Sequence, residues 1–280
     1  MRAKELREHT QKSGKWVDWE HTVDQFLAGD PESEVTGIAV CWMPTFFTLK
    51  KALEGGCNLF VTHEEVYTVV LDKGGKVVGL PPGLPPWVYE MRIDQIGQND
   101  AWLKKKKWLD ETGIVLYRCH DFWDDFPEIG IHGAWADWLG FTAKPIAEKR
   151  YYEVHDVDNM VLRELAERIL QRVKPLGQDV VHVVGDMNKR ISRLALGTGA
   201  ITNYREMYSM GADALLVTDD GTKFVEYSQW SLDSDVPLII VSHPTAEEPG
   251  MRTLARYIQE KFPDVPVTEI PVGCIYKAIS

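Results

Sequence analysis

The 280-residue sequence predicts an α/β protein composed of two similar α/β domains related by internal duplication. Short apolar segments alternate with helical patterns along the chain, which is typical of sheets covered by helices. The second half also repeats residues of the first half at constant spacings. We therefore predict a first domain over residues 1–149 and a second domain over residues 150–280.

The first domain is predicted to begin with a helix that extends to about Gly29. A strand over residues 35–42 follows, and a helix then starts at Pro44 and ends at residues 55–56, which are both glycine. Residues 57–62 form the next strand. This strand–helix–strand order predicts two parallel neighbouring strands joined by a right-handed crossover.

The middle of the chain continues the alternation after a proline-rich stretch over residues 80–86, which predicts an excursion around a rim. The elements predicted after it are a helix over roughly 87–111, strands over 114–118 and 150–154, a helix over 131–139 closed by Gly140, and a helix over 159–173.

The second half is predicted to have the same build. Its predicted elements are strands over 180–184, 193–196, 214–218, 238–241 and 265–270, and helices over 202–210, from Thr222, and over 248–262.

Two constant offsets relate the halves. At an offset of 123 residues, His120 falls on His243 and Asp124 falls on Glu247, each pair after an apolar strand. Each half thus carries a histidine and, four residues later, a carboxylate, as expected after a duplication. At an offset of 156 residues the identical pairs include Ala39 and Ala195, Gly55 and Gly211, Leu59 and Leu215, Val61 and Val217, and Thr62 and Thr218.

The strand over residues 57–62 ends on His63 and two carboxylates, Glu64 and Glu65. A buried strand that ends in potential metal ligands is typical of an α/β active site. Its candidate partners are residues 119–124 and 242–247. The hypothesis is that these three stretches meet.

Histidine and carboxylate side chains are the usual ligands of catalytic zinc, iron or manganese, and a cleft between two domains lets each contribute ligands. Two imidazoles and three carboxylates suffice for two divalent ions that activate a water. From spacing alone, a structural role for His63 or His243 remains an equal alternative. The candidate ligands are His63, Glu64, Asp124, His243 and Glu247.

Other polar residues favour structural interpretations. Asp219 and Asp220 either cap the helix predicted from Thr222 or support a ligand from behind. The Gly-Thr-Gly sequence at 197–199 lacks the lysine of a phosphate-binding loop, so a tight turn is favoured. The histidines for which a structural hydrogen bond is favoured on spacing alone are His120, His132, His155 and His182.

Composition excludes several classes of function. The formal net charge of -11 disfavours nucleic-acid binding, and the four cysteines contain no CxxC pair, which predicts reduced thiols. No GxSxG motif supports nucleophilic catalysis. No apolar run approaches the roughly eighteen residues of a membrane span, and the chain starts with polar residues, so we expect a cytoplasmic protein.

The sequence resembles the Nif-three-like family, whose members are described as type 2 homologues of GTP cyclohydrolase I and as dinuclear metal-centre proteins. The resemblance extends from about Trp19 to Val272. The motifs that carry it are GGCNLFVTHE at 55–64, HDFWD at 120–124, PEIG at 127–130, GADA at 211–214, and SHPTAE at 242–247 with Gly250 beyond it.

The resemblance implies two similar α/β domains that face each other across a metal-bearing cleft, and assembly into toroidal homohexamers. Many members have a second histidine where Glu64 stands here, and a proline often stands at the position of Glu65. A carboxylate at 64 makes the site harder, which shifts its preference toward iron, manganese or magnesium. The residues that take the places of the five family ligands are His63, Glu64, Asp124, His243 and Glu247.

The function implied is that of a metal-dependent hydrolase acting on GTP or a related nucleotide. His120 and Glu65 are candidate catalytic residues for proton transfer or substrate contact, with Asp219 behind them. The alternative from another class is a non-catalytic, metal-stabilised oligomer or regulatory partner-binding protein. A single (β/α)8 barrel is disfavoured because the repeat divides the chain into halves with different ligand sets.

Overall fold

A computed structural model describes residues 1–66 and 101–279 in full, and the backbone of residues 70–71, 77–79 and 100. The predicted excursion over 80–86 and the predicted helix before residue 100 lie outside the described residues. The chain divides into two compact units: unit 1 is Met1–Asp121 with Ile258–Ile270, and unit 2 is Phe122–Tyr257 with Pro271–Ser280. The predicted division at residues 149 and 150 follows the sequence repeat and stays a prediction.

Within the residues that the structure describes, unit 1 contains a five-stranded sheet and three helices of its own. The strands of the sheet are β1 (Phe26–Ala28), β2 (Ile38–Cys41), β3 (Leu59–Thr62), β6 (Val115–Arg118) and β13 (Val267–Glu269). Their order is β1-β6-β3-β2-β13, and all neighbours are parallel except the antiparallel pair β1 and β6. The other elements are α1 (Ala3–Ser13), α2 (Phe46–Glu54), α3 (Asp100–Thr112) and the antiparallel pair β4 (Val70–Leu71) and β5 (Val77–Gly79).

Unit 2 contains a six-stranded sheet. Its strands are β7 (Ala147–Lys149), β8 (Tyr152–Val161), β9 (His182–Val184), β10 (Arg190–Leu196), β11 (Ala214–Thr218) and β12 (Leu238–Val241), in the order β7-β8-β10-β11-β12-β9. The helices are α4 (Asp121–Asp124), α5 (Ile131–Leu139), α6 (Leu162–Val173), α7 (Tyr204–Ser209), α8 (Phe224–Ser234) and α9 (His243–Lys261), with a 3-10 turn at Lys174–Leu176. The first residue of α4 and the last turn of α9 belong to unit 1.

The core of unit 2 shows why an unbroken apolar strand is required in its centre. Successive side chains of a strand point to opposite faces of the sheet. In β11, Leu216 packs into one apolar cluster with α5 and α6, whereas Leu215 and Val217 pack into a second cluster with Tyr204 and Met207. Both faces are therefore covered, and every residue of β11 is buried.

The predicted duplication is confirmed by topology and register. Unit 1 contains the order β1-β6-β3-β2 and unit 2 contains the matching order β9-β12-β11-β10, each starting with an antiparallel edge strand. Leu59 pairs with Val115 in unit 1, and Leu215 pairs with Leu238 in unit 2. Offsets of 156 and 123 residues carry the first pair onto the second, so both sequence offsets describe equivalent strands.

The predicted βαβ unit at β2, α2 and β3 is also confirmed, since β2 and β3 are parallel neighbours. Thr45 caps α2, because its hydroxyl accepts a hydrogen bond from the Thr48 backbone N–H at 3.1 Å. Gly140 ends α5 in the left-handed conformation with φ of 91°, as predicted.

Several predicted boundaries are wrong, including the end of the strand predicted over 150–154, which continues to Val161. The first helix ends at Ser13 rather than near Gly29, because Phe26 belongs to a strand that pairs with β6 at the sheet edge. Asn159 does not open α6; it lies in β8 with a positive φ of 54°, and α6 starts at Leu162. Helix α9 starts at His243 rather than at 248, because the buried side chains of its first turn include polar ones that an apolar pattern does not detect.

None of the four cysteines, which all lie in the described part of the chain, forms a disulfide, so the prediction of reduced thiols is confirmed. Among the described residues, no helix combines the length and the apolar character needed to cross a membrane.

Candidate metal centre

The first group of candidate ligands lies at the carboxyl end of β3 in unit 1. The extended backbone continues past the strand, because the Glu64 N–H donates to the Trp42 carbonyl at 2.8 Å. The Thr62 hydroxyl donates to the Glu64 carbonyl at 2.9 Å and fastens the same segment. His63 is fully buried there, and Glu64 is partly exposed.

His120 reaches this group from the end of the neighbouring strand β6. Its ring stacks on the ring of His63, with centroids 4.3 Å apart and an interplanar angle of 15°. One ligand atom each from His63, Glu64 and His120 lie within 4.8 Å of one another. Because β3 and β6 are parallel neighbours, their carboxyl ends deliver these side chains to the same edge of the sheet.

Two buried or half-buried carboxylates hold His120. Oδ1 of Asp24, which is fully buried, accepts the backbone N–H groups of His120 at 2.7 Å and Asp121 at 2.8 Å. His120 Nδ1 is hydrogen bonded to Asp121 Oδ1 at 2.9 Å. Burial raises the pKa of Asp121, but hydrogen bonds from His120 and Thr22 lower it further, so the net pKa lies well below its ordinary value.

Arg118 organises the carboxylates on the other side of His63. Its Nε donates to the His63 carbonyl at 3.0 Å, and its Nη1 pairs with Glu65 Oε1 at 3.1 Å. Its Nη2 lies 3.7 Å from Glu64 Oε2. Since the guanidinium is nearly buried and always charged, it offsets the negative charge of both glutamates.

In unit 2, His243 and Glu247 occupy successive turns of α9 and are both buried. His243 Nε2 lies 3.0 Å from Glu247 Oε1, and His243 Nδ1 lies 3.1 Å from Asp220 Oδ2. The His243 N–H donates to Asp219 Oδ1 at 2.9 Å. Asp219 and Asp220 therefore support His243 from behind, which is one of the two roles predicted for them; α8 starts later, at Phe224.

Two carboxylates flank the ring of His243, and the pKa of one of them is lowered. The hydrogen bond with His243 lowers the pKa of Asp220 more than burial and the negative charge of Glu247 raise it, so Asp220 is held as a carboxylate. A neutral imidazole has one N–H and can donate to only one of the two flanking carboxylates. A proton or a metal ion at Nε2 would satisfy the other carboxylate, Glu247, while Nδ1–H donates to Asp220.

The Gly-Thr-Gly turn at 197–199 is part of this second group. Gly199 has a φ of 67°, and a Cβ atom added there would lie 3.2 Å from Glu247 Oε1 and 3.9 Å from His243 Nε2. The Thr218 hydroxyl donates to the Gly199 carbonyl at 2.5 Å and holds the turn. A glycine at this position keeps the space next to the two side chains open.

Two predicted site residues, Asp124 and Glu65, belong to neither of these groups of candidate ligands. Asp124 is the last residue of α4, is half-buried, and belongs to no group of three potential ligand atoms within 4.8 Å among the described residues. It lines an open cavity of about 1080 Å³ formed by residues of unit 2. Glu65 pairs with Arg118. The ligand role of Asp124 and the catalytic roles of Glu65 and His120 stay predictions.

Sequence reasoning missed the supporting roles of Arg118, Asp24 and Asp121. Two of these residues carry a sequence signal: Asp121 lies inside the HDFWD motif, and Arg118 is a charged residue at the end of an apolar strand. Asp24 carries no such signal, since it lies in an irregular segment far from the other residues in sequence. The structural hydrogen bonds predicted for His132 and His155 are present, to Thr198 at 3.0 Å and Glu153 at 2.8 Å.

Comparison with known proteins identifies the family. The sequence pattern of the Duf34/NIF3 (NGG1p interacting factor 3) family matches residues 92–274, which is more than half of the chain. The chain belongs to the Duf34/NIF3 family. This Duf34/NIF3 protein is 22% identical over 245 residues to a Clostridium acetobutylicum protein named GTP cyclohydrolase 1 type 2 homolog, a match that covers 83% of this chain and 80% of the relative.

Solved structures show the same fold over the whole length of the Duf34/NIF3 chain. The hypothetical protein SA1388 from Staphylococcus aureus matches with a TM-score of 0.71 and 20% identity, covering 99% of this chain and 97% of that one. A Bacillus cereus protein related to NIF3 matches with a TM-score of 0.73 and 12% identity, covering 100% and 99%. At these identities the likeness concerns the fold.

Proposed function

We propose that this Duf34/NIF3 protein is a metal-dependent hydrolase with a dinuclear site. The observation that carries the proposal is the buried His243, whose two ring nitrogens face one carboxylate each, Glu247 at 3.0 Å and Asp220 at 3.1 Å. This arrangement is that of a metal-ligating histidine with a supporting carboxylate. The proposed ligands are His63, Glu64, Asp124, His243 and Glu247.

The described residues fit divalent transition metals. Each unit offers at least one imidazole nitrogen and one carboxylate oxygen within a short distance, which is the donor chemistry of zinc, iron and manganese sites. Glu64 adds a hard oxygen donor, which favours iron and manganese over zinc. Divalent ions held there would polarise the bond under attack and activate a water for hydrolysis.

The protein side chains supply the fixed geometry for this chemistry. Asp220 holds the His243 ring, and Asp219 holds its backbone N–H, so the imidazole cannot turn away from Glu247. In unit 1, Arg118 ties the backbone of His63 to the carboxylates of Glu64 and Glu65. Ligands held in place before binding lose little conformational entropy when the ion arrives.

A nucleotide, GTP or a compound related to it, is the proposed substrate. The proposal draws on the name of the Clostridium relative and on the cavity of about 1080 Å³ that Asp124 lines in unit 2. The cavity wall carries Phe126 and Phe141, and the cations Lys144 and Arg256. A volume of this size accommodates a nucleotide, whose phosphates would contact the cations of a wall that also carries six carboxylates.

Metal analysis of the purified protein tests the dinuclear site. We expect close to two transition-metal ions per chain, and the change His243→Ala should remove at least one of them. His182→Ala is the matched control, because His182 is an exposed histidine on β9 of the same unit. Absence of metal after gentle purification, with no uptake on reconstitution, would contradict the proposal.

Catalysis is tested separately, by screening nucleotides and phosphoesters with added manganese, iron or zinc. We expect turnover that is abolished by Asp124→Ala. If the protein binds metal but hydrolyses none of these compounds, the hydrolase assignment is wrong although the metal site stands.

A metal-stabilised oligomer that acts as a scaffold or regulatory partner is the second candidate, and one surface favours it. Helix α8 exposes three large apolar side chains: Phe224 is 68% exposed, Val225 is 77% exposed and Leu232, about two turns further on, is 65% exposed. Light scattering distinguishes the candidates: if Leu232→Glu dissociates a hexamer and no substrate is turned over, the scaffold function is favoured.

A further inference from the structure

We propose that His120 is itself a metal ligand through Nε2, so that His63, Glu64 and His120 form a set of two imidazoles and one carboxylate inside unit 1. The five ligands implied by the family resemblance do not include His120, and its sequence-based role was proton transfer. The inference rests on the proposed function in that it concerns the same metal centre. It assigns a further ligand, and it names the class of ion that this half of the centre prefers.

The first observation is that the His120 ring is held through its Nδ1 atom. Asp121 Oδ1 lies 2.9 Å from Nδ1, and Asp121 is fixed in turn by the Thr22 hydroxyl at 2.8 Å. The backbone of the same two residues is fixed by Asp24. Histidines that bind metals typically have one ring nitrogen hydrogen bonded to a carboxylate, which orients the ring and makes the other nitrogen a better donor.

The second observation is that the repeat-related histidine has the same arrangement. His243 corresponds to His120 at the offset of 123 residues, and its Nδ1 is also bound to an aspartate, Asp220, at 3.1 Å. The two aspartates come from different places: Asp121 is the next residue in the chain, whereas Asp220 follows the end of β11. The two aspartates do not occupy equivalent positions in the repeat, yet each contacts Nδ1 of its histidine. This indicates that both histidines need Nδ1 fixed so that Nε2 can face a ligand.

The third observation is proximity to two other donors. A ligand atom of His120 lies within 4.8 Å of ligand atoms of both His63 and Glu64. The His63 ring stacks on His120 at 4.3 Å and is fully buried. The grouping of three donor atoms, and not the stack, supports the assignment, because stacked rings direct their nitrogen lone pairs side by side. Joint binding of one ion therefore requires a rotation of the His63 or His120 side chain.

The donor chemistry identifies the class of ion. Two imidazoles with one carboxylate suit divalent iron, cobalt or zinc, with iron ahead of zinc because Glu64 is a hard donor, and two nitrogen donors disfavour magnesium and calcium, which prefer oxygen.

Titration of the metal-free protein with Co²⁺ tests the inference, because the visible absorption of bound cobalt reports the number and type of its ligands. We expect His120→Asn, which keeps a polar side chain facing Asp121, to weaken binding of at least one cobalt ion by tenfold or more and to change its spectrum. X-ray absorption of the cobalt protein should show fewer imidazole ligands per ion in this variant. Asp121→Asn should weaken binding about 10- to 100-fold while keeping the imidazole count.

His21→Ala is the matched control, because His21 Nδ1 lies 2.9 Å from Asp18 Oδ2 in the same kind of pair, but exposed on the surface of unit 1. It should leave cobalt affinity and spectrum unchanged. Circular dichroism shows whether each variant is folded. If His120→Asn does not fold, the cobalt affinity and the spectrum of Asp121→Asn test the inference instead.

The outcomes separate this inference from the proposed function. If the wild-type protein binds no cobalt, the metal-dependent function itself fails. If the wild type binds cobalt and the folded His120→Asn variant binds it with the same affinity, spectrum and imidazole count, only the ligand role of His120 is overturned.

Discussion

The Nδ1 atom of His243 lies 3.1 Å from Oδ2 of Asp220, a residue 23 positions earlier that follows the end of a neighbouring strand. The contact exists because β11 and β12 are adjacent and parallel, so their carboxyl ends lie side by side. Asp220 remains a carboxylate because its hydrogen bond with the imidazole lowers its pKa. The strand order of unit 2 thus fixes the orientation of a proposed ligand.

Asp220→Asn should therefore weaken metal binding by about 10- to 100-fold with little loss of stability, because the amide keeps the shape but loses the charge that holds the imidazole. Calorimetric titration of the metal-free protein measures the effect. The control Asp233→Asn changes an exposed aspartate on α8. Equal affinities for both variants and the wild type would show that Asp220 does not support a ligand.

Gly199→Ala should impair both stability and metal binding. The positive φ costs a residue with a side chain about 1 to 2 kcal/mol, and the new Cβ would press against Glu247 Oε1 at 3.2 Å. Gly177→Ala is the matched control, since Gly177 has a φ of 80° but its Cβ would meet only the Cys274 nitrogen at 3.9 Å. Urea unfolding should show similar losses in both variants, whereas only Gly199→Ala should weaken metal binding.

Arg118→Met should destabilise unit 1 by about 1 to 3 kcal/mol, the range for a lost charged hydrogen bond and an uncompensated carboxylate. The change leaves the His63 carbonyl, Glu64 and Glu65 without the guanidinium that joins them. Arg118→Lys should recover only part of the loss. The ammonium group of lysine lacks the planar, forked set of N–H donors with which the guanidinium contacts all three partners. The free energy of unfolding in urea provides the measurement, and full recovery by lysine would argue against the geometric role.

Tyr117 should make the stability of the protein fall at alkaline pH. Burial raises the pKa of Tyr117 well above 10, and the negative charges of Cys119 and Asp24 raise it further, whereas the Thr10 hydrogen bond and Arg7 lower it. A raised folded-state pKa means that the contribution is fully present below about pH 10, the unfolded pKa of tyrosine, and is lost as the pH rises toward the folded pKa.

Tyr117→Phe tests this dependence through the free energy of unfolding measured between pH 8 and 11, roughly the range that brackets the tyrosine pKa. The variant should be about 1 kcal/mol less stable at neutral pH, because it loses the hydrogen bond to Thr10. Its alkaline decline should be shallower than that of the wild type. Tyr208→Phe, at a tyrosine that is 48% exposed, should leave the decline unchanged.

Much of the fold was predictable because its strands are unbroken apolar runs and its helices have clear ends. The segments that became β3, β11 and β12 were predicted to within two residues, since every residue in them is buried. The region before β1 was mispredicted because its apolar residues, among them Trp16, Trp19 and Phe26, follow a helical spacing. Phe26 instead packs against Tyr117, about 90 residues away in the chain.

His63 and Glu64 were proposed as ligands because they directly follow a predicted strand, and their ligand role stays a prediction, whereas the residues that hold this segment and His120 were not foreseen. Asp24 fixes the backbone of His120 from an irregular segment nearly a hundred residues earlier. From the sequence, Arg118 is indistinguishable from an ordinary charged residue at the end of a strand, but in the structure its guanidinium is nearly buried. Such roles depend on which strands become neighbours, and a single sequence carries that information only through the repeat.

By itself, the sequence determined the α/β class, the duplicated strand register and the residue types available for binding a metal, because these depend on local apolar periodicity and on identities at constant offsets. The tertiary structure decided that β13 returns to pair with β2, that His120 stacks on His63, and that Asp220 faces His243. The physical reason is that hydrogen bonding between strands and burial of charged groups join residues far apart in the chain, and local preference does not specify those partners.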